Sequence, residues 1–383
     1  MRLATWLGIL VLTGTSGPQP PTDWRPLPVG PQPVGFRIEN VVDSTRPRGS
    51  PPAPRRIQLA TWYPAMAAGA RRLTYRDYVA FASAETTSTA GIATSVTPSE
   101  ESLIAVFTGK GVPGATVRAW LDAKMVATRD AAPAAGRYPL VVIAQGNGES
   151  LNDQAVLAEY LASHGYVVVT CPSQTRISGP LASEKEIGAS AEEEARDLEL
   201  LIQQVAARSD VNTGHIGLVG HSFGARGALL VAMRRSDIRA LVSLDGGIGT
   251  ATGLASFRAA PSFTPDSMRA PVLHIYETAD PFMTPDWTLL RSIHNAPVWV
   301  ARADAMHHHH FTSLGGLGAG FGSILRATNG TAATTASFIE VAASVRAFLD
   351  TYIGDAPAAF ARALAAGKAP TASRLTIRRL ITP

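Results

Sequence analysis

The pentapeptide Gly220-His221-Ser222-Phe223-Gly224 directly follows the apolar run IGLV at 216–219 and leads into the helix-forming stretch ARGALLVAM at 225–233. In a loop, a G-x-S-x-G pattern carries little information; between a strand and a helix it defines a sharp turn with the serine at its apex. Both glycines follow from that geometry, because the serine backbone is strained and a Cβ at either flank would strike neighbouring elements. The turn pushes the hydroxyl outward, and the helix start beneath it favours developing negative charge. A chain built around this junction needs a strand covered on both faces, which is a parallel α/β arrangement.

The surrounding sequence keeps that rhythm. Residues 138–146 (YPLVVIAQG) form a continuous apolar run stopped by glycine, 152–165 have helical spacing and a glycine stop, and 166–172 (YVVVTCP) read as the next buried strand. An acidic-started amphipathic helix over 190–209 follows, and beyond the serine come strands at 238–245 and 270–280. Strand and helix in alternation predict a mostly parallel central sheet flanked by helices. RIQLATWYP at 56–64 reads as an early strand. Between 67 and 133 the alternation lapses into segments read as helical, 71–85 and 116–131, separated by a Ser/Thr/Gly-rich loop; this is expected to be an insertion at the sheet's edge or over its top.

The ends read differently. Arg2 followed by LATWLGILVLTGTS has the layout of a secretory signal peptide over residues 1–16 and is too short to span a bilayer, so a secreted or periplasmic protein without a membrane span is expected. The Pro-rich start of 17–54 reads as an extended leader, 55–355 as the catalytic domain, and 356–383 as a basic, peripheral tail. With 46% apolar residues the chain can bury a large core, and its net charge of +4 comes from scattered basic residues, which argues against nucleic acid as a partner. The single cysteine, Cys171, excludes an internal disulfide.

A serine hydroxyl is a weak nucleophile until a histidine removes its proton, and that histidine needs a carboxylate to hold its ring. The histidine source is the tract His307-His308-His309-His310, just beyond the apolar strand at 296–303. Four adjacent histidines in an extended segment present at most two to one face and no second ligand cluster accompanies them, so neither a metal nor a cofactor is expected.

With TWYP at 61–64, PLVVIAQGNGES at 139–150, LAEYLASHGYVVV at 157–169, HIGLVGHSFG at 215–224, LVSLDGG at 241–247 and HHHFTS at 308–313, the chain resembles the α/β-hydrolase superfamily over roughly 55–350. Within it the resemblance is to the platelet-activating-factor acetylhydrolase and dienelactone-hydrolase-like esterases. The resemblance implies an α/β-hydrolase fold with a helical insertion and the order serine, acid, histidine. It implies Asp245, 23 residues past Ser222, as the acid, with Asp280 one strand later as the alternative. The histidine is then His308, three residues before Phe311, with His307 and His309 as neighbouring registers, and the N–H groups of Asn147 and Phe223 form the oxyanion hole. Gln145 departs from the pattern, which has histidine there. The implied activity is cleavage of carboxylic esters, with short acyl chains, through an acyl-enzyme on Ser222. The rivals are amide or peptide cleavage, lipid or polyester cleavage by the same groups, and a non-catalytic binding protein on the same fold.

Overall fold

The computed structural model describes residues 23–382 apart from 49–51, 68–70, 85–98, 174–182, 259, 281–282 and 367–373. The signal-peptide segment and the Ser/Thr/Gly-rich part of the insertion lie outside the described residues. Among those described, the strands are β1 (Val34–Arg48), β2 (Ala53–Pro64), β3 (Arg72–Thr74), β4 (Lys124–Arg129), β5 (Tyr138–Ala144), β6 (Val167–Cys171), β7 (Val211–His221), β8 (Ile238–Leu244), β9 (Val272–Tyr276), β10 (Val298–Ala303) and β11 (Leu375–Ile381). The helices are α1 (Tyr75–Ser83), α2 (Glu100–Gly109), α3 (Gly114–Leu121), α4 (Ala155–Ser163), α5 (Glu184–Ala206), α6 (Gly224–Arg234), α7 (Ala251–Arg258), α8 (Thr288–Arg291), α9 (Gly322–Ala327), α10 (Ala332–Tyr352) and α11 (Ala359–Ala366).

The strands make one sheet in the order β11-β10-β9-β8-β7-β5-β6-β2-β1-β4-β3. Every pair from β10 to β6 is parallel, while β6–β2, β2–β1 and β10–β11 are antiparallel. The parallel strands are apolar throughout because both faces are covered: Leu140 and Val142 of β5 point into one core and Val141 and Ile143 into the other. α5 forms where Ser183 and Glu186 make a reciprocal capping box, and its Ala191, Ala195, Leu198, Ile202 and Val205 are buried at helical spacing. α10 is long and apolar enough to cross a membrane by length and composition, but Phe338, Val341, Val345, Phe348 and Leu349 are buried in the core on one face of the sheet.

Three segments differ from their sequence reading. The leader contains β1, whose Phe36 is fully buried against Trp62, and it anchors further upstream, where Trp24 is buried against Tyr75 and Trp120 with centroids 4.9 and 6.1 Å away. Only the first part of 116–131 lies in a helix, α3; Met125 and Ala127 are buried on alternate positions of β4, which pairs with β1 and β3. The tail supplies α11 and the edge strand β11. α1 is tied to the loop after β5, where Tyr75 Oη donates to the carbonyl of Asn152 at 3.4 Å, and the segment before β1 is tied to the loop before α9, where Trp24 Nε1 donates to the carbonyl of Gly316 at 3.2 Å.

Candidate active site

β7 runs into α6 through the turn at Ser222, whose φ of 51° is in the left-handed region that residues with a Cβ rarely adopt. The turn is over-determined: Ser222 N–H donates to Leu244 O at 3.1 Å, and Gly247 N–H donates to Ser222 O at 3.0 Å. A Cβ on Gly220 would lie 2.4 Å from Ala225 Cα, and one on Gly224 2.3 Å from Ala144 O, so neither flank accepts a larger residue. The hydroxyl is left at the carboxyl edge of the sheet, where ligands of open α/β sheets bind.

The four rings of the histidine tract do not gather at one point but turn to separate partners. His308 Nε2 lies 2.9 Å from Ser222 Oγ, and its Nδ1 lies 2.6 Å from Asp245 Oδ2. His307 Nδ1 instead meets Asp280 Oδ1 at 3.0 Å, while His309 and His310 turn to Thr328, with Nε2 at 2.8 Å from its carbonyl and 3.2 Å from its hydroxyl, respectively. Asp245 immediately follows β8 with φ 43°; its N–H donates to Ile275 O at 2.6 Å and its Oδ1 accepts the Glu277 N–H at 3.2 Å. Asp280 takes the main chain of the tract, accepting the His308 N–H at 2.8 Å. Burial would raise its carboxyl, but the His308 N–H and the His307 ring outweigh burial and hold it below the usual range. The two candidate acids thus share one histidine, one by its ring and one by its backbone. Among the described residues, no group of three or more His, Cys, Asp or Glu is placed to hold a metal.

The turn after β5 abuts the serine turn because Ala144 pairs with Gly220 in register. Asn147 is exposed in that turn, and Phe223 follows Ser222 with its side chain buried. Gln145 is fully buried and donates from Nε2 to Thr170 Oγ1 at 3.0 Å, which ties it back to β6. The same loop is bound to the far side of the histidine tract: Ser313 N–H donates to Asp153 O at 2.6 Å and Gln154 Nε2 to Phe311 O at 3.2 Å.

Sequence reasoning passed over His221, Glu149 and Glu277. His221 Nδ1 lies 2.9 Å from Glu149 Oε2, and Glu149 also accepts the Gly146 N–H at 2.7 Å. Glu277 accepts the N–H groups of Ala279 and Asp280, and burial with the nearby charge of Asp245 pushes its carboxyl up to about 7. The histidine inside G-H-S-F-G and the glutamate three residues past Gly146 were visible, but nothing local joins positions 72 residues apart.

Comparison with known proteins agrees with this architecture. Residues 124–275 match the Chlorophyllase family model. The chain is similar to Cutinase 2 of Thermobifida cellulosilytica, 30% identical over 28% of this chain and 39% of that protein. It is also similar to Cutinase cut1 of Thermobifida fusca, 30% identical over 28% of this chain and 32% of that one. A bis(hydroxyethyl) terephthalate hydrolase of Streptomyces coelicolor is 30% identical over 28% of this chain and 33% of its own length. The chain therefore spans well under half the length of these relatives. A ferulic acid esterase from Streptomyces cinnamoneus superposes with a TM-score of 0.67 at 19% identity, covering 93% of this chain and 99% of that one. Sheet order and this superposition give the chain the α/β-hydrolase fold.

Proposed function

We propose that the protein is a carboxylic ester hydrolase working through an acyl-enzyme on Ser222, closest in its acid position to the acetylhydrolase-type esterases. The observation that carries this reading is the unbroken hydrogen-bonded chain from Ser222 Oγ through His308 to Asp245 at the apex of a strained strand-to-helix turn. The names of its relatives, cutinase, bis(hydroxyethyl) terephthalate hydrolase and ferulic acid esterase, support the same reaction class.

In this reading Ser222 Oγ attacks the ester carbonyl as His308 Nε2 takes its proton, and Asp245 keeps the imidazole in the tautomer that presents Nε2 as acceptor. The amides of Asn147 and Phe223 receive the oxyanion. The imidazolium then protonates the leaving alcohol, and water, activated by the same ring, releases the acid and regenerates Ser222. The signal-peptide reading of 1–16 makes the site of action secreted or periplasmic. The apolar face of α1, with Tyr75, Tyr78, Val79 and Ala82, is buried in the core and not offered to an acyl chain, so in this reading a methylene beyond the first few loses about 0.8 kcal/mol of burial, and preference for p-nitrophenyl esters flattens beyond roughly four to six carbons.

The test is a p-nitrophenyl ester panel with wild type and Ser222→Ala, alongside fluorophosphonate labelling. Wild type labels at Ser222, and the variant keeps its fold but loses roughly 10⁴-fold or more in kcat. Near-normal turnover by Ser222→Ala would refute the mechanism, and a steady rise of kcat/KM to palmitoyl esters would refute the short-chain reading.

A further inference from the structure

His221 and Glu149 take no part in the reaction above, yet they lie directly beneath it. His221 is 1% exposed, and its ring is stacked on that of His308 with centroids 4.9 Å apart and planes 30° apart. Its Nδ1 faces the Glu149 carboxylate, 2.7 Å from Oε1, and its Nε2 faces the carbonyl oxygen of His308 at 3.2 Å. A carboxylate and a carbonyl only accept hydrogen bonds, whereas a neutral imidazole has one N–H to donate. Both contacts are made together only when the ring carries two protons, and the Gly146 N–H on Glu149 favours the carboxylate partner this requires.

We propose that His221, held as an imidazolium by Glu149, is a positioning residue that fixes the main chain of His308 and thereby sets its ring between Asp245 and Ser222. This rests on the hydrolase reading. The tract is then clamped at both main-chain groups of one residue: Asp280 holds the His308 N–H and His221 its carbonyl. A displacement of about 1 Å in a catalytic group costs on the order of 10²-fold in rate, so a clamp at this point has kinetic weight.

The charged and titratable groups facing His221 are Glu149 and Asp153 from the loop after β5, Asp245 from the end of β8, and His308 from the tract. Glu194 on α5 and Arg226 on α6 stand behind Glu149. Burial alone would lower the proton affinity of His221, but the charge and hydrogen bond of Glu149, aided by Asp245, outweigh it and raise it. Asp153 is pushed up to about 7 by burial and by Glu149. A raised imidazole keeps its proton above the ordinary range and loses it as pH rises further, so the clamp opens on the alkaline side and turnover has a descending alkaline limb.

The experiment combines imidazole ¹⁵N spectra with pH–rate profiles on p-nitrophenyl acetate. At pH 7.5, where an ordinary imidazole is about nine-tenths neutral, both His221 nitrogens are protonated in wild type and the signature is lost in Glu149→Gln. His221→Ala lowers kcat by roughly 10- to 100-fold with KM little changed. His221→Gln, which donates one hydrogen bond but does not titrate, recovers part of that loss and has no alkaline limb. A neutral His221 in wild type at pH 7.5, or an alkaline limb that survives in His221→Gln, overturns the proposal, and His221→Gln with the spectra carries the test if His221→Ala does not fold. Failure of Ser222 to take a fluorophosphonate would count against the hydrolase reading alone, because the nitrogen spectra need no turnover.

Discussion

Asp245 and Asp280 both reach His308 but govern different degrees of freedom. Asp245 touches the ring nitrogen and in the proposed mechanism holds the tautomer; Asp280 touches the backbone N–H and the His307 ring and in that mechanism holds the place where the residue sits. Asp245→Asn should therefore lower kcat by about 10⁴, the size of effect expected when the wrong tautomer is held, whereas Asp280→Asn should cost only on the order of tenfold. Steady-state kinetics on one short ester ranks them, and the opposite order would move the acid role to Asp280. From sequence the two were hard to separate, since each is an aspartate closing an apolar strand and only the family resemblance favoured the first. The serine turn was legible because its cause is local, a strained angle with a glycine on each side. The His221–Glu149 pair was not, because it exists only after β5 and β7 align.

At the level of elements, the interior strands were readable and the edges were not. β5, β6, β8 and β9 are buried on both faces and therefore appear as uninterrupted apolar runs. β1, β4 and β11 lie toward the margins, where apolar residues alternate with Arg, Lys or Glu; in that setting proline content and helix-like spacing mislead. β11 buries Leu375 and brings Arg379 over the Trp299 ring at 5.2 Å, and its removal uncovers the hydrogen-bonding edge of β10. Truncation from Arg374 onward should cost roughly 2 kcal/mol or more, the burial of one large aliphatic side chain, and promote association through the bared edge. Urea unfolding and light scattering check both effects; an unchanged midpoint with a monodisperse sample would make β11 dispensable.

Across the whole molecule, the buried titratable groups tie stability to pH. His274, 1% exposed and bonded to Ser243 Oγ at 2.9 Å, is pushed down to about 4 by burial. Unfolded, it takes a proton below about 6.5, so between those values the unfolded chain binds the extra proton and stability falls as pH falls. Relative to His274→Gln, which does not titrate, wild type should lose about 1.4 kcal/mol for each pH unit descended through this window, as read from urea unfolding at several pH values. Parallel curves for the two proteins would mean that His274 is charged in the fold. Composition indicated a core large enough to hold such groups; which residues would occupy it depends on a topology that no composition states. That topology also bears on biosynthesis. The indole of Trp24 is fastened to the carbonyl of Gly316, 292 residues downstream, beside the loop that carries His308. A ribosome adding about 5–20 residues per second needs roughly 15–60 s between the two. Until then the first anchor has no berth, and Ser222 waits 86 residues of synthesis for the ring that meets it, so in the proposed mechanism the nascent chain is chemically silent until His308 emerges.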